Sequence, residues 1–182
     1  QLTQVTLAPN AVIVAIMTPD ARTEDAYRQR YVGVSERLRQ FVSAPGREHA
    51  VIWVSSTAVF GQHQSGVLDE SVPAAPDHWR GYCLREAEQN IEQIPAATVI
   101  RFTGLYNAQS LIRFQDQGFR EQLNSKVVSN RIHREDALSW LNALACDHLQ
   151  KTPVPSLIHG VDMGPASYQE IYDFVDGVSP AI

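Results

Sequence analysis

The sequence predicts an α/β fold built on a parallel sheet flanked by helices. Short apolar runs alternate with longer stretches whose apolar residues recur every three or four positions. That order, strand then helix then strand, is the mark of right-handed crossovers. The first two runs are nearly continuously apolar, the pattern of strands covered on both faces. The 182 residues, 44% hydrophobic and 19% charged, suffice for one domain with a small appended lobe.

In chain order, "AVIVAIM" (11–17) reads as a strand buried on both faces. "TPDARTED" follows with turn formers and acids suited to a helix start. Tyr27, Tyr31, Val34, Leu38 and Phe41 then form one apolar stripe of a helix over 24–42, which "APGREH" ends. "AVIWVSS" (50–56) is the second strand. The stretch from Thr57 to Gly81 has no clear period, and loops of that length in compact domains usually carry function. Leu84, Ala87, Ile91 and Ile94 define a helix over 82–94, and "ATVIRFTGLY" (97–106) a third strand. Beyond it the sequence predicts a short extended piece, "KVVSNRIH", and a helix with Ala137, Leu141, Leu144 and His148 in register. Another short strand follows in "SLIHGVD". The last helix starts at a capping box, Ser167 and Glu170, before Ile171, Phe174 and Val178.

The net charge of −5 argues against nucleic acid as a partner, because phosphate backbones need a basic face. No run of about 18 apolar residues exists, so no membrane span is expected. Only two lysines occur, Lys126 and Lys151, which removes most lysine chemistry. Cys83 and Cys146 form no motif; this fits a reducing, cytoplasmic setting or a single disulfide. The six histidines never fall at metal-ligand spacing with a second ligand, so no metal site is expected.

Open parallel sheets bind ligands outside the carboxyl ends of their strands. Here those ends read Ile16-Met17-Thr18, Ser55-Ser56-Thr57 and Thr103-Gly104-Leu105. Small residues let a flat ligand approach, and hydroxyls offer it hydrogen bonds. Turns need the same residues, so Ser55 and Thr57 also read as strand-end packing and turn bonding. A hydrolase role for Ser56 would need G-x-S-x-G, and its surroundings, V-S-S-T-A, lack the glycines. Arg101 lies inside an apolar strand and calls for an acidic partner from a neighbouring element. Asp69 and Glu70 read as a solvated or capping pair, and His133 as a turn residue before a helix.

"VSSTAVFG", "LDESVPAAP", "EAEQNI", "VIRFTGLY" and "NRIHREDAL", in this order and spacing, resemble the extended short-chain dehydrogenase/reductase superfamily, its NAD-dependent epimerase/dehydratase branch. The resemblance implies a Rossmann-like sheet, N-terminally incomplete, with a small C-terminal α+β substrate lobe. On that reading residues 1–107 are the remainder of the nucleotide-binding domain. Residues 108–182 are mixed substrate-lobe segments, some returning to the sheet. It also implies NAD or NADP as cofactor, lined by Ile16, Met17, Thr18, Ser55, Thr103, Gly104 and Leu105. Ser56 matches the hydroxyl that orients a substrate, and Thr57, Arg80, Arg131 and His133 would border a small substrate of nucleotide-sugar type, with Arg131 facing an anionic group. The two helices 24–42 and 82–94 are where such proteins form homodimers.

Two departures stand beside the resemblance. The G-x-x-G-x-x-G turn that cradles a dinucleotide pyrophosphate does not occur in the sequence. Nor does the Tyr-x-x-x-Lys pair that moves the proton: one alignment places Arg80 and Leu84 there, another Tyr82 and Glu86. This resembles the atypical subgroup, which lacks those residues. Two expectations follow: an epimerase/dehydratase-like oxidoreductase, or an inactive nucleotide- or metabolite-binding regulator on the same fold.

Overall fold

The computed structural model describes residues 7–47 and 49–177. The chain divides into two compact units. Unit 1 comprises Gln1–Arg101 and Trp140–His159; unit 2 comprises Phe102–Ser139 and Gly160–Ile182.

Unit 1 is organised by a four-stranded parallel sheet in the order β1-β2-β3-β7, the Rossmann-like arrangement expected. Its strands are β1 (Val12–Ala15), β2 (Ala50–Ser56), β3 (Ala97–Phe102) and β7 (Leu157–Gly160). β1 and β2 pair in parallel with Val12 opposite Ala50 and Ala15 opposite Trp53. β2 is covered on both faces: Val51, Ile52 and Trp53 are fully buried. The first apolar run departs from expectation. It shortens to four residues, and Val14 is 39% and Ile16 58% exposed. The reason is position: among the described residues β1 is the outermost strand of the sheet, so its apolar residues are not enclosed on all sides.

Helices cover the sheet where the stripes point. Thr23 caps α1 (Glu24–Tyr27) by accepting from the Ala26 N–H, with Glu24 and Asp25 in the first turn. The expected single helix is interrupted by a π-helical turn, Arg28–Val32, before α2 (Gly33–Val42). The wider turn rotates the stripe but keeps Leu38 and Phe41 buried, and the Tyr31 hydroxyl donates to the Met17 carbonyl. α3 (Trp79–Ile91) begins three residues earlier than its stripe suggests, because His78 Nδ1 accepts from the Arg80 N–H and caps it. Leu38, Val51, Trp53, Ala87, Ile91, Ile94 and Val99 form one core.

α6 (Arg134–Gln150) buries Ala137, Leu141 and Leu144 as the spacing predicts. His148, one turn on, meets Thr98 Oγ1 through Nε2 at 3.1 Å. Thr98 Oγ1 donates its proton to the Pro155 carbonyl, so Nε2 must carry the imidazole hydrogen. Burial pushes the His148 pKa below the ordinary histidine value. The unfolded chain therefore takes up this proton first, and stability falls as pH drops below about 6.5. An NMR titration should show His148 protonating below the ordinary histidine value of about 6.5; a midpoint at or above that value contradicts the assignment.

Unit 2 is assembled from short pieces. The expected third strand breaks at Thr103, whose N–H and hydroxyl both donate to the Gly160 carbonyl. The chain resumes as β4 (Gly104–Tyr106), paired in parallel with β6 (Arg131–His133). A capping box on Asn107 starts α4 (Ala108–Ile112), and α5 (Gln117–Glu121) follows. β5 (Val128–Ser129) pairs antiparallel with β8 (Ala166–Ser167). α7 (Tyr168–Val175) starts at the Ser167–Glu170 capping box, as read from the sequence. Its buried stripe differs from the expected one: Ile171 and Tyr172 are buried, whereas Phe174 is 63% exposed. Aromatic packing of Phe114 with Tyr168 and Tyr172 turns the helix that way. Val178 lies outside the described residues. Among the described residues no helix is long and apolar enough to cross a membrane.

Candidate functional site

In unit 1 the carboxyl end of β2 separates its three hydroxyls. Ser55 points inward, 5% exposed, and donates to Glu88 Oε1 at 2.6 Å. Ser56 points the other way, half-buried, and its Oγ accepts from the Ala58 N–H at 3.2 Å. That bond caps a 3-10 turn, Thr57–Val59, which carries Thr57. The Ser56 hydroxyl hydrogen stays available to a ligand, so the residue is both cap and candidate donor. At the neighbouring strand end Ile16 and Thr18 are exposed, and Met17 is half-buried.

Beneath this surface lies an ion pair that supports it. Arg101, 2% exposed, meets Glu88, fully buried, at 3.0 and 2.8 Å through two nitrogens. This is the acidic partner that the sequence demanded of Arg101. The Arg101 guanidinium also lies 5.3 Å from the Phe60 ring centroid. Glu88 was legible in principle: it sits four residues after Leu84 and three before Ile91, a carboxylate on a buried stripe.

The long segment after Ser56 is held by side chains. Gln64 Oε1 accepts from the Gly61 and Ala75 N–H groups, and its amide donates to the Pro73 carbonyl. Asp77 accepts from the Gln62 N–H, which lowers its pKa. Asp69 closes a turn on Ser71, while Glu70 accepts from the His159 N–H at 2.7 Å. His159 Nδ1 faces the Leu68 carbonyl at 3.1 Å, tying the segment to β7. Gly81 lets α3 approach: a Cβ there would stand 2.7 Å from the Ala58 carbonyl oxygen. Arg80, exposed on the same turn, lies 5.0 Å from the Trp79 ring centroid.

In unit 2, Gly104 and Leu105 are exposed, Leu105 by 54%. His133 Nδ1 accepts from the Glu135 N–H at 3.4 Å and so caps α6, while its ring meets Tyr106 edge to face at 5.2 Å. Arg131 is the most distinctive group. It is half-buried, with its guanidinium 5.2 Å from the Phe114 centroid and 5.7 Å from that of Tyr168. Its Nε is buried with no hydrogen-bond partner, and burial lowers its pKa. No carboxylate pairs with it among the described residues. Arg113, which sequence reasoning missed, lies over Phe114 and Phe119 at 5.5 and 4.8 Å. Two cations thus share one aromatic cluster. Nothing in the local pattern around Arg113 announces this, because the cluster joins α5, α7 and the turn before α5. Among the described residues no three His, Cys, Asp or Glu side chains gather as a metal site.

No family model and no curated protein matches the chain. Solved structures do. An NAD-dependent epimerase/dehydratase from Methylobacillus flagellatus is 24% identical, over 88% of this chain and 66% of its own, with a TM-score of 0.65. UDP-glucuronic acid 4-epimerase from Bacillus cereus, in complex with NAD, is 14% identical over 91% and 60%, with a TM-score of 0.71. The dTDP-4-dehydrorhamnose reductase from Bacillus anthracis, in complex with NADP, is 14% identical over 92% and 61%, with a TM-score of 0.73. This likeness shows the fold, and the chain spans 60 to 66% of the length of these proteins.

Proposed function

We propose that the chain belongs to an NAD(P)-dependent protein of the epimerase/dehydratase type, in the atypical subgroup, acting on a small anionic substrate of nucleotide-sugar class. The observation that carries this reading is Arg131, a guanidinium set over two rings with no carboxylate partner among the described residues. A half-buried, unneutralised cation is costly unless a ligand anion completes it.

The residues of unit 1 fit one end of the cofactor. Exposed Ile16 and Thr18, with the free hydroxyl hydrogen of Ser56, suit the flat face and polar edge of a nicotinamide. When bound, that ring would supply hydride transfer. Ser56 would hold a substrate oxygen in place.

A second reading, binding without hydride transfer, is favoured by α3. Neither lysine of the chain lies on that helix, so no ammonium there lowers a tyrosine pKa. Fluorescence titration with NADH and NADPH tests the first reading, and binding of neither overturns it. Where a cofactor binds, Arg131→Met should weaken UDP-sugar binding about 10- to 100-fold and leave cofactor affinity unchanged. Unchanged UDP-sugar affinity would remove Arg131 from the site. Binding without any change in nicotinamide absorbance selects the regulatory reading.

A further inference from the structure

Unit 1 also has an opening away from the carboxyl ends of its strands. A cavity of about 810 Å³ opens at their opposite, amino ends. Asn10, just before β1, Ala50, the first residue of β2, and Ala96, just before β3, line it. Its size is that of a small-molecule site.

Three independent features converge there. First, among the described residues its walls carry two full charges, Arg47 and Lys151, both positive, on a chain of net charge −5 with only two lysines. Neither forms an ion pair among the described residues. Arg47 is steadied by the Phe41 ring, 4.2 Å from its guanidinium carbon, a contact that uses the face of the guanidinium and not its N–H edges. Second, the two non-glycine residues with positive φ among the described residues, Asn10 at 61° and Lys151 at 57°, both line this cavity. Asparagine tolerates that conformation; lysine does not favour it, and such strain gathers at ligand clamps. Third, His49, 8% exposed, lines the cavity with a buried Nδ1 that has no partner.

From these we infer that unit 1 carries a second ligand site, for a small metabolite bearing a multivalent oxyanion, held by Arg47 and Lys151. The bland account is that the two cations only offset helix ends. α2 and α6 do finish here, and helix C-termini carry partial negative charge. Yet backbone N–H groups already close the last turn of each helix. Ser43 N–H donates to the Arg39 carbonyl, Lys151 N–H to His148, and Thr152 N–H to Asp147. Capping α6 needs a left-handed residue after Gln150, for which glycine is the cheap choice. Lysine in that position pays strain for a charge that capping does not use.

That point supplies the test. Lys151→Gly removes the charge and relieves the backbone, so it separates binding from folding. The 182-residue chain is titrated with inorganic phosphate and, separately, with citrate at constant ionic strength, while amide NMR shifts are followed. Saturable shifts at Arg47, His49 and Lys151 are expected. Phosphate alone would point to a phosphoryl group, citrate alone to a polycarboxylate, and both to multivalent oxyanions in general. Lys151→Gly should bind about tenfold more weakly while keeping or raising its melting temperature, and Arg47→Gln should weaken binding similarly. The absence of saturable shifts up to about 10 mM of either probe overturns the inference, as does unchanged affinity in both variants.

Discussion

Glu88→Ala is expected to destabilise unit 1 by about 3–5 kcal/mol, the cost of stranding a buried charge. The carboxylate is fully buried and accepts from Arg101 Nε and Nη2, from Arg85 and from the Ser55 hydroxyl. Removing it leaves Arg101, 2% exposed, without an anion and Ser55 without an acceptor. The pair itself is worth much less than its breaking costs, because both ions were dehydrated to form it. The double replacement Glu88→Leu with Arg101→Met should therefore recover most of the loss. Chemical denaturation of the parent, Glu88→Ala and the double variant measures both statements. A Glu88→Ala loss below about 1 kcal/mol would mean that the pair is hydrated in solution. Because Ser55 neighbours Ser56, Glu88→Ala should also loosen the strand end that presents the candidate ligand hydroxyl.

Trp53→Ala should cost a similar amount, about 3–5 kcal/mol, but Trp53→Phe only about 1 kcal/mol or less. Trp53 is fully buried at the centre of the sheet core, with Leu38, Val51, Ala87 and Ile91 in the same cluster. Truncation to alanine opens a cavity that close-packed neighbours fill only in part. Phenylalanine also loses volume, yet it deletes the indole N–H, which is buried without a partner. An unsatisfied buried donor costs about 1–3 kcal/mol, so its removal offsets part of the lost packing. Thermal and urea unfolding would decide; equal losses in the two variants would show that the indole nitrogen is hydrogen-bonded after all.

Legibility in the sequence followed the range of the interactions. Leu84, Ala87 and Ile91 were readable as one face of α3 because helix contacts repeat within four residues. The Ser167–Glu170 box was readable for the same reason. The demand of Arg101 for an acid was readable, whereas the identity of that acid was not until β3 and α3 came together. For Ser55 and Ser56, alternation along a strand assigns opposite faces but does not say which faces the interior. Glu88 decides it.

By itself the sequence determined the alternation of strands and helices, the cap of the last helix, and the hydroxyl-bearing strand ends. Each depends on periodicity or on bonds spanning a few residues, so each is written locally. The tertiary structure alone decided four things: that β1 is outermost among the described strands of its sheet, that the third strand breaks at Thr103, that Arg131 and Arg113 share one aromatic cluster, and that Arg47 meets Lys151 in one cavity. These depend on residues distant in the chain. Their juxtaposition is selected by the burial of the whole core, which no local pattern encodes.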